Sequence, residues 1–188
     1  GTTMDYGFDI YSESSNNRLD IIGNTFESTV EESLLVGVAG ETAELNIRDN
    51  IIDFSNDNGI EIYLSSLDSS TINITDNEIN HALNSGIVLN SYGTNLDSVI
   101  SGNYIKADHY GLDVYADSNI DPATLNFLIE ENNFDKGVLG GIKLEAISGE
   151  GIDTTINAEV NDNTFNEDID PRIIIEGEVV NVTGNQAP

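Results

Sequence analysis

The chain has no cysteine, so disulfide bridges and thiolate chemistry are both excluded. It holds only 6 lysines and arginines against 34 aspartates and glutamates, for a formal net charge of −28. A field of that sign repels DNA, RNA and anionic membranes, so no nucleic-acid partner is expected. It favours cations, salt-rich solvent and neutral or basic partners. No apolar run approaches the roughly 18 residues that a bilayer span requires, so no membrane insertion is expected. Helical periodicity is missing as well. The two histidines, His81 and His109, stand apart and offer no zinc-ligand set. The acidic residues are dispersed among strictly periodic apolar ones, so they are read as the solvated surface of a folded domain.

What the chain does have is one recurring asparagine. It stands at Asn24, Asn50, Asn77, Asn103, Asn132, Asn163 and Asn185, at intervals of 26, 27, 26, 29, 31 and 22 residues. The third residue before it is always aliphatic: Ile21, Ile47, Ile74, Ile100, Ile129, Val160 and Val182. The second residue after it is Phe26, Ile52, Ile79, Ile105, Phe134 or Phe165, with Ala187 the exception. Periods of this size mark one structural unit stacked many times. Asparagine tolerates the left-handed backbone conformation, and its amide is suited to bond its counterpart one coil away.

A second motif follows the first six asparagines. It reads Gly59-Ile60-Glu61-Ile62-Tyr63, Gly86-Ile87-Val88-Leu89-Asn90, Gly111-Leu112-Asp113-Val114-Tyr115 and Gly141-Ile142-Lys143-Leu144-Glu145, with an earlier copy at Gly7-Phe8-Asp9-Ile10-Tyr11. Copies at Ser33–Gly37 and Arg172–Glu176 lack the leading glycine. Alternation with period two predicts strands with one buried face. Each repeat then holds three short strands: one before the asparagine, one after it, and one at the glycine. It is too short for a strand, a helix and their loops. Stacked turn upon turn, such units form a parallel coil with equivalent positions about 4.8 Å apart. Phe8, Leu34, Ile60, Ile87, Leu112, Ile142 and Ile173 are expected to stack in its interior.

In this pattern the chain resembles the right-handed parallel β-helix superfamily, the fold of pectate lyases, alginate epimerases and phage tailspikes. The resemblance covers essentially the whole chain and implies an all-β, right-handed parallel β-helix solenoid of about seven three-strand coils. Residues 1–188 are read as one such domain, expected to be a piece of a larger protein, secreted or at the cell surface. Its ends are expected to pack against neighbouring coils or chains, because an uncapped coil exposes strand edges and core. The superfamily hosts lyases, hydrolases, epimerases, adhesins and stalks, so the fold alone selects no activity. Tyr6-Gly7-Phe8-Asp9 matches four positions of the alginate-epimerase motif Tyr-Gly-Phe-Asp-Pro-His, without its proline and histidine. Neither the pectate-lyase arginine signature nor the clustered aspartates of polygalacturonases occurs.

In the resembled enzymes substrate lies along the face of the glycine strands, flanked by loops. Here the longer, variable intervals predict loops at about 65–71, 90–97, 116–124 and 146–155. The outward residues of the glycine strands form two columns: Asp9, Leu35, Glu61, Val88, Asp113, Lys143, Ile174, and Tyr11, Gly37, Tyr63, Asn90, Tyr115, Glu145, Glu176. Tyr11, Tyr63 and Tyr115 recur on every second coil, about 9.6 Å apart, close to the repeat of a disaccharide. Tyrosine is equally a good residue for a half-exposed strand.

The leading expectation is therefore a carbohydrate-binding module, with Tyr11, Glu61, Tyr63, His109 and Tyr115 contacting a polysaccharide. The second is a polysaccharide lyase, epimerase or hydrolase centred on Asp113, Lys143 and Glu145. Lys106, His109 and Tyr110 sit one coil before Lys143 and are placed to approach it from the turn side. The third is a structural stalk or adhesin spacer with no site. Asp117, Asn119 and Asp121 are spaced like hard-oxygen ligands on a loop, and a calcium ion is the cofactor they suit.

Overall fold

The computed structural model describes residues 6–65, 68–118, 122–150, 152–177 and 180–184. Every secondary-structure element in it is a strand, and the strands pair in parallel into a solenoid of about six turns. The glycine-led strands stack as Leu34–Arg48, Ile60–Ser65, Ile87–Tyr92, Tyr110–Ser118, Gly140–Ser148 and Ile173–Glu176. The strands before the asparagines stack as Ser69–Thr75, Leu96–Ser101, Ala123–Glu130, Thr154–Asn161 and Val180–Thr183. Short strands after the asparagines, from Thr25–Phe26 to Thr164–Phe165, make the third side.

In the first two coils the first two sides are not separate. Phe8–Ile22 and Leu34–Arg48 each run continuously through both, 15 residues at a time. The bend in the second passes Gly40 at φ 139°, where an added Cβ would lie 1.9 Å from the Ser14 carbonyl. The Asn17 amide fills the inside of this corner, bonding the carbonyls of Ser14, Ala39 and Thr42. In later coils the two sides are separate strands, which end at Ser65, Tyr92, Ser118 and Ser148 and resume at Ser69, Leu96, Ala123 and Thr154, so strand structure reaches into the intervals expected to be loops.

Coil-to-coil register follows the repeat. Phe8, Leu34, Ile60, Ile87, Leu112, Ile142 and Ile173 stand directly over one another, and the members from Leu34 to Ile142 are wholly buried. Each such side chain contributes about 1.5–3 kcal/mol by leaving water. The leading glycine has a packing reason. A Cβ on Gly7, Gly86, Gly111 or Gly141 would lie 2.2–2.4 Å from Phe26, Ile105, Phe134 or Phe165, and on Gly59 3.0 Å from Ile79. The large residue two places after each asparagine thus fills the space in front of a bare glycine Cα.

The asparagines form a buried ladder. Nδ2 of Asn24 donates to Oδ1 of Asn50, and the pattern repeats through Asn77, Asn103, Asn132 and Asn163 at 2.9–3.0 Å. Asn185 lies outside the described residues. The left-handed conformation belongs not to these asparagines but to the residue before each: Gly23, Asp49, Asp76, Gly102, Glu131 and Asp162 have φ between 51° and 68°. The asparagine itself is held by its amide, which bridges coils. Outer ladders run the other way and start from a carboxylate, as in Asn126 to Asp97 and Asn46 to Asp20, because the last position only has to accept.

Candidate functional site

Alternation along the glycine strands turns one face outward, and register aligns that face across coils. The two expected columns are both present. A third follows two residues further on, where Tyr92 stands beside Ser65 and Asp117. Tyr63 and Tyr92 are each 40 % exposed. The rings of Tyr92 and Tyr115 lie 6.0 Å apart at 56°. Tyr63, Tyr92 and Tyr115 thus come from three consecutive coils, with Asn90 between Tyr63 and Tyr115 in register. Tyr92 is the member that the two five-residue columns missed, because it lies just past the end of the motif. Tyr11 is separate: its ring covers Gly37, and its hydroxyl donates to Glu13 at 2.5 Å.

Glu61 is only 6 % exposed, because Leu35 and Val88 flank it on the adjacent coils. Its oxygens accept from Asn58 Nδ2 at 2.8 Å and Asn90 Nδ2 at 3.2 Å, and the Tyr63 hydroxyl also bonds it. Burial and that bond to Glu61 push the Tyr63 phenol above the ordinary tyrosine range.

Asp113, Lys143 and Glu145 are brought together on adjacent coils. Lys143 Nζ donates to Glu145 at 2.6 Å, reaches Glu176 at 3.3 Å and lies 5.8 Å from the Tyr110 ring centre. Burial opposes the charge on Lys143, but Glu145, Asp113 and Glu176 outweigh it and hold the ammonium above the usual lysine value. Lys143 is therefore a fixed positive charge. Burial raises the Asp113 carboxyl, with Lys143 opposing and the Glu145 and Glu176 charges adding.

Two expected neighbours are elsewhere. Lys106 lies in a short strand of the third side and pairs with Asp135 at 3.7 Å. There Asp108 also bonds His81 and Lys136, which holds its carboxyl low. His109 has an exposed ring, and its backbone ties Asn84 to Leu139. Asp117 accepts from the Tyr115 hydroxyl at 3.4 Å, whereas Asn119 and Asp121 lie outside the described residues. Among the described residues no three or more His, Asp or Glu side chains are grouped to hold a metal ion. On the neighbouring side a cleft of about 230 Å³ is lined by Ser69, Thr71, Asp97, Thr124 and Asn126, all hydrogen-bonding groups.

Comparison of the chain with protein-family models, curated proteins and solved structures finds no match. The arrangement stands on its own chemistry: an exposed aromatic strip bordered by a fixed ammonium, carboxylates and amides.

Proposed function

We propose that this chain is a carbohydrate-binding β-solenoid module of a secreted or cell-surface protein that engages polysaccharide. The observation that carries the reading is the strip of Tyr63, Tyr92 and Tyr115 on consecutive coils. Tyrosine offers a flat apolar face for the C–H side of a sugar ring and a hydroxyl at its edge. Tyr63 and Tyr115 stand two coils apart, about 9.6 Å, so each ring meets alternate units of an extended glycan. Asn90, Glu145 and the fixed charge of Lys143 supply polar contacts, and the hydroxyl- and amide-lined cleft around Thr71 and Asp97 offers more. The right-handed β-helix superfamily of pectate lyases and alginate epimerases is part of this proposal, on the strength of the coil pattern.

The test is proton NMR of neutral and acidic polysaccharides mixed with the protein, with and without Ca²⁺. Selective broadening of one glycan is expected, and Tyr63→Ala and Tyr92→Ala should each abolish it. Broadening that both variants retain would remove this face from consideration.

A second reading is favoured by the convergence of Asp113, Lys143 and Glu145. New anomeric or unsaturated-sugar signals that vanish in Asp113→Ala and Lys143→Ala would make the chain a polysaccharide lyase, epimerase or hydrolase. A silent panel would leave a structural spacer.

A further inference from the structure

The glycine-strand face is rich in acceptors, and the chain's own carboxylates occupy its donors. From Tyr63 to Glu176 the three outward columns hold five carboxyl groups, Glu61, Asp113, Asp117, Glu145 and Glu176, against one ammonium, Lys143. Lys143 Nζ donates to Glu145 at 2.6 Å and reaches Glu176 Oε2 at 3.3 Å, one carboxylate from its own strand and one from the next coil. Asp113 stands in register with Lys143 on the coil before, about 4.8 Å away along the stack. The Tyr110 ring lies 5.8 Å from the same nitrogen, and only 17 % of the Lys143 side chain is exposed. Two further donors of the strip are also turned to carboxylates. Asn90 Nδ2 donates to Glu61 at 3.2 Å, and the Tyr115 hydroxyl donates to Asp117 at 3.4 Å.

We propose that the strip takes an uncharged glycan and rejects polyuronates, and that Glu145 and Glu176 set this choice by keeping Lys143 closed to a ligand carboxylate. The choice between glycans rests on the proposed function above; the closed ammonium does not.

An ionised carboxylate only accepts hydrogen bonds. To pair with Lys143, a uronate must displace Glu145 or Glu176. The exchange gains no ion pair that the chain did not already have. It also adds a fourth carboxylate to the three that surround one positive charge. Glu145 and Glu176 touch the ammonium and Asp113 is one coil away, all inside the screening length of about 8 Å at physiological ionic strength, so salt does not hide them. A polyuronate carries a carboxylate on every ring, about one per coil, and has no neutral unit to lay over the cluster. A neutral sugar brings hydroxyls, which donate as well as accept. Its donors meet the carboxylate oxygens, and its C–H faces meet Tyr63, Tyr92 and Tyr115. The third N–H of Lys143 is left for a sugar hydroxyl.

The test compares retention of the full chain on an immobilised neutral β-glucan and on polygalacturonate. The parent should be held by the β-glucan and at least about tenfold less by polygalacturonate. The preference should persist in about 1 M salt, where the Debye length is about 3 Å and the overall charge of the chain is screened. Glu145→Gln with Glu176→Gln keeps the shape of both side chains and frees the ammonium. That double variant should gain retention on polygalacturonate, and adding Lys143→Gln should remove the gain. Glu27→Gln with Glu41→Gln takes away the same charge at two exposed positions off the strip and should behave as the parent. A parent held equally well by polygalacturonate would overturn the proposal, as would a double variant that still excludes it.

A second measurement needs no polymer. The chain has three lysines, Lys106, Lys136 and Lys143, so the Lys143 side-chain nitrogen is readily assigned by NMR. Added galacturonate monomer should leave that signal unmoved in the parent and shift it in the double variant. A shift in the parent would show that the ammonium is open and would overturn the proposal. A silent parent and a responsive double variant, with no retention on either polymer, would sink the glycan reading and leave the closed ammonium standing.

Discussion

Replacing Asn103 with alanine should cost far more than replacing Asn126, although both are rungs of asparagine ladders. Asn103 is 1 % exposed. Its Nδ2 donates to Asn132 Oδ1 at 2.9 Å and to the carbonyls of Ile74 and Ser101 at 2.8 and 3.1 Å. Its Oδ1 accepts the backbone and side-chain N–H groups of Asn77, each at 3.0 Å. After truncation, Asn132 Oδ1 still has the Asn103 backbone N–H, and Asn77 Nδ2 still reaches Ile47 and Thr75. The Asn77 backbone N–H loses its side-chain acceptor inside the structure. One buried unsatisfied donor costs about 1–3 kcal/mol, and the bonds lost by the Ile74 and Ser101 carbonyls about 1 kcal/mol each, so about 3–5 kcal/mol is expected in all.

Asn126 bonds Asp97 at 2.9 Å and Asn157 at 3.0 Å, but both contacts are exposed and water replaces them. Its loss should fall within about 0.5 kcal/mol. Urea denaturation followed by circular dichroism reads both, with midpoints compared at equal slope. Equal losses for the two variants would refute the reasoning, and so would a loss below about 1 kcal/mol for Asn103→Ala.

Gly111→Ala places a Cβ 2.2 Å from Phe134 and should cost about 1–3 kcal/mol in thermal unfolding, with part of the loss recovered by Phe134→Leu. Glu131 sits at φ 57° where the equivalent turns use Asp or Gly, so Glu131→Asn should gain up to about 1 kcal/mol in the same assay. Lys143→Gln removes the one group that holds the Asp113 proton affinity down. The Asp113 carboxyl should then titrate at higher pH by carbon NMR, and the variant should lose stability relative to the parent as pH rises through that range.

The interior of this fold was written in the sequence because a stacked coil repeats its packing problem. Each interior rung must fill the same space as the rung below, so Ile60, Ile87, Leu112 and Ile142 recur, and register follows from their period. The same logic placed Asp113, Lys143 and Glu145 side by side, since outward residues inherit the register of inward ones. What the period could not show is contact between different columns. Gly111 and Phe134 were visible as two separate repeats, and only their approach across the corner explains why both persist. The left-handed turn falls on the residue before each ladder asparagine, and glycine and aspartate at positions 23, 49, 76, 102 and 162 carry that signal in the sequence. Periodicity constrains side chains that enter the core, and it falls silent where they leave it. A binding face on a solenoid is therefore found by asking which outward positions depart from the repeat, and here the departures gather around Tyr63, Tyr92 and the buried Glu61.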